Sequence, residues 1–196
     1  LFVLTAAPSN ETLAHARAGY LIAGVTHYLR DDVKWTKEAY YKRFDRLPKW
    51  PDRTLPLRRS DGVGWATGID VSVIKRFVDQ FYGQINYSYA QSKRDDGDGR
   101  GSYNADFNQP HILNVLAGYE VKKTWSVAGK WRYATERPRD GFVVHADVLN
   151  DPERPRYAQE IVANNSERLP AFHTLNLYGH LNVYEERFLE LSGQVE

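Results

Sequence analysis

Hydrophobic and polar side chains alternate with a period of two along several segments of this chain. Around residues 65–77, for example, Ile69, Val71 and Val73 alternate with Asp70 and Ser72. A period of two places alternate side chains on opposite faces of a β-strand. Four segments alternate clearly, four more do so weakly, and none shows a convincing helical period. The pattern predicts strands near residues 16–29, 33–46, 64–77, 80–92, 111–122, 124–135, 171–184 and 187–196.

Segment length and connection length point to one architecture. The predicted strands are longer than the usual five or six residues and approach the 9–11 residues that cross a bilayer at a tilt. Short connections alternate with three long loops, at 47–63, 93–110 and 136–170. Outer-membrane barrels have short turns at one end and long loops at the other. The expected fold is therefore all-β, an antiparallel up-and-down transmembrane β-barrel of the outer-membrane type.

Composition narrows the function classes. The 196 residues carry 26 basic and 25 acidic side chains, so no basic excess predicts nucleic-acid binding. Cysteine is absent, and no apolar run approaches the roughly 18 residues of a membrane helix. The mean hydropathy of −0.60 suits a soluble protein, but it also suits a barrel whose strands expose one face to water. Aromatic residues near the predicted strand ends are expected to form interfacial girdles, or alternatively the core of a soluble sandwich.

The alternation assigns side chains to two faces of the predicted barrel. One face is expected to meet lipid, and it carries Val71, Val73, Ile85, Leu113, Val115, Val127, Leu175, Leu177 and Leu181. The other face is expected to line the lumen, and it carries Asp70, Ser72, Gln84, Asn86, Lys130 and Asn176. Small and polar residues dominate that face, among them Ser72, Ser88, Asn86, Ser126, Ala128, Asn176 and Asn182, and they would pack a narrow eight-stranded lumen poorly. The eight strands are therefore expected to form an arc of a larger barrel.

Five segments carry recognisable motifs, in order along the chain. They are Glu38–Leu47 (EAYYKRFDRL), Gly64–Val71 (GWATGIDV), Tyr87–Ser92 (YSYAQS), Asp106–Leu113 (DFNQPHIL) and Arg168–Leu177 (RLPAFHTLNL). Together they resemble the TonB-dependent receptors of Gram-negative outer membranes, over roughly residues 15–196.

The resemblance implies a 22-stranded barrel filled by a plug domain and energised through a TonB complex. It also implies that the barrel imports a scarce nutrient, such as a ferric siderophore or another chelate. The plug and the segment that engages TonB would belong to the missing N-terminal part of the same full-length chain. The chain begins at Leu1 and reaches Glu196 in mid-pattern, so we expect the C-terminal third of the barrel, cut just short of its final strand end.

Candidate chemistry is sparse. No GxSxG, HExxH or phosphate-binding glycine loop occurs, so we expect no enzyme, no cofactor and no metal site. Asp95, Asp96 and Asp98 partly imitate a calcium loop, because hard cations take several oxygen ligands. The downstream glutamate of such a loop is absent, and a solvated loop tip is the favoured interpretation.

A basic and aromatic group of loop residues is the best candidate for ligand binding. It comprises Trp50, Arg53, Arg58 and Arg59 in the first long loop, with Arg137 and Arg139 in the third. Guanidinium groups bind carboxylates and phosphates well, so the ligand would be an anionic chelate or a lipopolysaccharide phosphate. The alternative is ordinary solvated charge, because Asp52, Asp61 and Asp140 lie among the arginines.

Two other function classes remain open. A passive porin-like or adhesive barrel would share the strand pattern and lack the plug. A soluble lipocalin-like barrel also has eight strands, with the apolar face turned inward around a ligand. For the leading interpretation, the expected partners are outer-membrane lipid and lipopolysaccharide, the plug domain, the TonB complex and a small-molecule ligand.

Overall fold

A computed structural model describes residues 13–49, 59–122, 125–147, 156–184 and 187–195. Across these ranges the regular structure is entirely β, and no helix is long and apolar enough to cross a membrane. The strands are β1 (Arg17–Arg30), β2 (Val33–Lys49), β3 (Arg59–Val78), β4 (Phe81–Asp95), β5 (Tyr103–Asn104), β6 (His111–Lys122), β7 (Trp125–Ala134), β8 (Pro138–Asp147), β9 (Arg156–Arg168), β10 (Phe172–Tyr184) and β11 (Arg187–Val195).

Eight long strands form one antiparallel sheet in the order β1-β2-β3-β4-β6-β7-β10-β11. Each long strand pairs with the next long strand along the chain, which is the up-and-down order that the alternation predicted. Within the described residues β1 and β11 are the two ends of this path and are not paired with each other. The expected fold, an open arc of antiparallel strands, is therefore confirmed.

Short turns join the strands at one end of the sheet. Asp31 and Asp32 connect β1 to β2, and Asp79 and Gln80 connect β3 to β4. Both Asp79 and Gln80 have positive φ, 54° and 68°, a combination that belongs to a type I′ turn. This turn twists in the same sense as the strands it joins, so β3 and β4 pair from Val78↔Phe81 onward.

The register places the predicted apolar and polar residues on opposite faces. Directly opposed residues of an antiparallel pair share a face. One continuous row runs Trp35↔Val73↔Ile85↔Val115↔Trp131↔Leu175 across six strands. Its neighbour on the other face runs Thr36↔Ser72↔Asn86↔Asn114↔Arg132↔Thr174. The first face is called the apolar face below, and the second the polar face.

The side chains whose burial is described form almost no hydrophobic core within the sheet. Ala134, at 1% exposure, is the only buried hydrophobic residue within the described ranges. Leu21 and Ile22 are consecutive and therefore lie on opposite faces of β1, yet they are 72% and 59% exposed. A soluble sandwich or barrel of this size buries a set of large apolar side chains. This sheet is a single layer whose apolar face remains uncovered.

The long connections contain structure that the alternation did not predict. β2, β3 and β4 extend beyond the expected bounds at residues 46, 64 and 92. The second connection contributes the short strand β5, which pairs with β4 through Lys93↔Asn104 and Arg94↔Tyr103. The third connection, expected as a loop, folds into a separate hairpin of β8 and β9.

Candidate functional site

The three long connections lie at the same end of the sheet, opposite the short turns. They join β2 to β3, β4 to β6 and β7 to β10, and consecutive antiparallel strands bring alternate connections to one end. Every ligand-binding residue proposed from the sequence belongs to the first or third of these connections or borders it. This end is therefore the candidate functional site.

A group of charged and phenolic side chains, called the rim cluster, ties the first two connections together. It comprises Lys49, Asp61, Arg94, Asp96 and Tyr103. The Lys49 ammonium lies 3.0 Å from an Asp61 carboxylate oxygen and also donates to the backbone carbonyl of Asp96. Lys49 is only 7% exposed, and a buried ammonium group requires such partners.

The Asp96 carboxylate occupies the centre of the rim cluster. Its Oδ1 accepts a hydrogen bond from Arg94 Nε at 2.8 Å, and its Oδ2 accepts one from the Tyr103 hydroxyl at 2.9 Å. Burial raises the pKa of Tyr103, and the hydrogen bond to Asp96 raises it further. Tyr103 therefore stays a neutral donor, which holds β5 against the end of β4.

A second group, called the hairpin lock, joins the β8–β9 hairpin to the second connection. The Asn165 side-chain amide donates to the Asn104 carbonyl at 2.8 Å and to Asp106 Oδ1 at 2.7 Å. Arg168 Nη1 donates to the Asn108 carbonyl at 3.2 Å, and Asn108 in turn donates to Asn104 Oδ1 at 2.9 Å. Asn165 has a positive φ of 48°, a conformation that asparagine adopts more readily than most residues.

The arginines expected to bind an anionic ligand are engaged in local contacts. Arg59 lies 3.2 Å from Asp61, and its side chain is 64% exposed. Arg139 donates twice to Glu167 Oε2, at 2.9 and 2.6 Å, and lies 5.4 Å from the centre of the Phe142 ring. Arg137 lies 6.0 Å from the centre of the Phe107 ring. Trp50, Arg53 and Arg58 lie outside the described residues.

The acidic run does not form a cation site in this structure. Asp95 Oδ1 and Asp98 Oδ1 each accept a hydrogen bond from a backbone amide two residues further on, Gly97 at 2.7 Å and Arg100 at 2.9 Å. Asp96 turns instead toward Arg94 and Tyr103. Among the described residues no three potential metal ligands lie close together. These contacts are those of an ordinary turn.

The sequence patterns missed the residues that organise this end. Lys49, Asn108 and Asn165 are buried polar residues, and each is a node in the contacts between connections. Only the segment Asp106–Leu113 gave a signal, because its motif marked the entry to β6. The side chains of the two clusters supply hydrogen bonds and charge, which suits binding more than covalent chemistry.

Comparison with solved structures identifies the fold. The ferric-catecholate import receptor Fiu from Escherichia coli K12 superposes with a TM-score of 0.66 at 12% identity, over 90% of this chain and 23% of that one. FpvA of Pseudomonas aeruginosa, bound to pyoverdine, gives 0.65 at 11% identity, over 94% and 24%. The copper transporter OprC gives 0.63 at 15% identity, over 93% and 25%.

These matches confirm the fold that the motifs implied. The chain has the fold of the barrel wall of TonB-dependent outer-membrane receptors, and it spans about a quarter of the length of the proteins it matches. No protein-family model matches the sequence. A search of curated proteins returned no match either. The structural neighbours are receptors and transporters, which fits the expectation of a non-enzymatic role.

Proposed function

We propose that this chain is part of the barrel wall of an outer-membrane receptor that imports a scarce nutrient, such as a ferric siderophore or another metal chelate. The structural neighbours include a ferric-catecholate import receptor, an iron transporter and a copper transporter. Those activities belong to the neighbours, and the shared barrel wall is the reason to propose the same class of activity for this chain.

The uncovered apolar face is the observation that carries the outer-membrane location. It extends across the long strands in rows such as Trp35↔Val73↔Ile85↔Val115, although the described residues contain no core to bury it. Aromatic residues mark the two edges of the apolar face. Phe81 and Tyr89 lie eight residues apart on β4, as do Trp125 and Tyr133 on β7. Eight residues of a strand tilted by about 40° span about 20 Å, close to the apolar band of an outer-membrane barrel.

Ligand capture is assigned to the end that carries the long connections. Arg59, Arg137 and Arg139 would contact an anionic chelate there, together with Trp50, Arg53 and Arg58. An exposed guanidinium has five donors, so Arg59 retains donors beyond its contact with Asp61. The polar face would surround a plug domain, and coupling to a TonB complex would run through that plug.

Energy dependence tests this proposal. Cells that carry the complete protein are incubated with ⁵⁵Fe bound to a catecholate siderophore, ⁵⁵Fe bound to pyoverdine, or Cu(II), with and without a protonophore. Energised import predicts accumulation of at least one probe, and its loss when the protonophore collapses the proton gradient. Accumulation that is equal with and without the protonophore would overturn the proposal in favour of a porin-like barrel.

Membrane fractionation tests the other alternative. A lipocalin-like protein would appear in the soluble fraction, because its apolar face lines a closed interior. The proposal predicts recovery of the complete protein in the outer-membrane fraction and extraction only by detergent. Recovery in the soluble fraction would contradict it.

A further inference from the structure

Two basic residues interrupt the apolar face near the end that carries the long connections. Arg43 on β2 lies directly opposite Trp65 on β3, and Trp65 lies directly opposite Lys93 on β4. All three belong to the face that carries Val71, Val73 and Ile85 further along the same strands. Lys93 Nζ lies 6.0 Å from the centre of the Trp65 ring, so the row places an aromatic ring between two cations.

The row borders a surface depression with a mixed lining. Eight residues line it, of which Ser102 belongs to the second connection: Tyr41, Arg43, Val63, Gly64, Trp65, Arg94, Asp95 and Ser102. Tyrosine and tryptophan offer flat apolar surface with a polar edge. Arginine and serine offer hydrogen-bond donors. Such a lining suits a ligand with a ring and an anionic group more than it suits a hydrocarbon chain.

The level of the row on the proposed barrel identifies what it meets. Arg43 is two residues beyond Tyr41, which puts it about 5 Å further along the membrane normal on a tilted strand. Lys93 is four residues beyond Tyr89 on β4. Aromatic belts lie at the depth of lipid headgroups, and basic residues beside them attract anionic headgroups. The row therefore lies where the phosphates and sugars of the outer leaflet would be.

The neighbouring acidic residues do not prevent Arg43 and Lys93 from binding an anionic group. Asp45 Oδ1 lies 3.2 Å from Arg43 Nε, but both side chains are exposed, at 64% for Arg43 and 41% for Asp45. Such solvent-exposed ion pairs are weak. This one is made through Arg43 Nε, so the two Nη groups can still donate to a ligand. Asp95 also lines the depression, and its Oδ1 accepts the Gly97 amide at 2.7 Å.

We propose that Arg43, Trp65 and Lys93 form a binding site for the phosphorylated sugar headgroup of an outer-leaflet glycolipid. Arg43 and Lys93 bind phosphate through charge-assisted hydrogen bonds, and the sugar ring stacks on Trp65. This site lies on the outside of the wall, on the face opposite the polar face, and borders the end that carries the long connections. It rests on the proposed outer-membrane location and is independent of which nutrient is imported.

The test uses the complete protein in nanodiscs that contain phosphorylated lipopolysaccharide, with native mass spectrometry to measure bound glycolipid. Each basic residue near an anionic surface contributes about fivefold in affinity, so Arg43→Gln with Lys93→Gln is expected to weaken glycolipid retention about thirtyfold. Lys130→Gln, on the polar face, is the matched control and is expected to retain glycolipid like the wild type.

Three outcomes would overturn the site. One is equal retention by the double variant and the wild type. Another is equal loss in the Lys130→Gln control. The third is displacement of the glycolipid by millimolar inorganic phosphate, which would indicate a free-anion site instead of a lipid site.

Heat-modifiable migration and outer-membrane fractionation of each variant accompany the measurement. They separate failure of this site, in a barrel that still assembles, from failure of the proposed location.

Discussion

The wall of the sheet and its long-connection end are held together by different kinds of interaction. In the wall, β3 and β4 pair residue by residue from Val63↔Asp95 to Lys75↔Gly83 through their backbones. At the long-connection end, individual side chains such as Asn165, Arg168 and Lys49 bridge segments that are far apart in sequence. Backbone pairing requires no particular side chain, whereas each bridge requires one. We therefore expect the wall to tolerate substitutions that preserve the polarity of each face, and the end to be sensitive at single positions.

The largest effect is expected when the polarity of the wall is inverted. Val115→Arg places a charge on the apolar face opposite Ile85, midway between Phe81 and Tyr89, where the cost in a bilayer is about 2–4 kcal/mol. Asn114→Arg, one residue away on the polar face, is expected to assemble nearly as well as the wild type. Assembly is measured as the heat-modifiable fraction in outer membranes. Equal yields from the two variants would contradict the assignment of the faces.

The next effect is expected at the hairpin lock. Asn165→Ala removes the donor to the Asn104 carbonyl and to Asp106, and losing partners of buried polar groups costs about 1–3 kcal/mol. We expect faster protease cleavage and amide exchange in residues 138–168, while the strands of the wall keep their protection. Ser166→Ala is the control, because its hydroxyl makes only a 3.4 Å contact with Ala163. Uniform destabilisation of wall and hairpin would show that the two regions are not separate units.

The wall could be predicted from the sequence to a greater extent than the long-connection end. Alternation of residues such as Val71, Ser72 and Val73 predicted the wall, because one face of each strand meets a different medium from the other. The register followed, since a slip of one residue would exchange the two faces. Backbone extension of β2 to Lys49 was missed, because a bulge near Arg46, with φ of 59°, interrupts the period there.

The candidate site was far less predictable from the sequence. Arg59, Arg137 and Arg139 were expected in the long loops, whereas Arg59 begins β3 and Arg139 lies in β8. Their contacts with Asp61, Phe107 and Glu167 depend on how the long connections fold. Asn165 had no sequence signal, because a single asparagine in a loop gives no period, and Asn108 was marked only as part of the motif Asp106–Leu113. Their burial arises only when the hairpin packs against the second connection.

A smaller effect is expected where a glycine allows close packing within the wall. A Cβ on Gly118 would lie 2.2 Å from Cζ of the Tyr82 ring, so Gly118→Ala must displace that ring. The expected cost is about 1 kcal/mol, at the low end for overpacking, because the end of the ring is free to swing away.

A double-mutant cycle checks this assignment, with thermal unfolding of the barrel as the measurement. Tyr82→Ala should remove most of the penalty of Gly118→Ala, since the two residues interact directly. Gly129→Ala is the control, because its new Cβ would lie 3.4 Å from Leu177, an ordinary contact. An undiminished Gly118→Ala penalty in the Tyr82→Ala background would rule out the proposed clash.

The smallest effect is expected at the turn between β1 and β2, where an ion pair between Asp32 and Lys75 adds to the backbone pairing of the strands. The Lys75 ammonium donates to Asp32 Oδ2 at 2.7 Å, and this contact, with help from Arg30, lowers the pKa of Asp32 below the ordinary value of 3.8. A carboxyl whose pKa is lowered on folding stabilises the structure above its unfolded pKa and loses that contribution as the pH falls through the folded pKa. The Arg76 amide donates to the Asp32 carbonyl at 2.8 Å and reports on this turn. Asp32→Asn should therefore speed hydrogen exchange of that amide at neutral pH, and should have no effect below the folded pKa of Asp32. Asp31→Asn is the control. If the ratio of exchange rates between Asp32→Asn and the wild type does not change with pH, the carboxylate does not stabilise the turn.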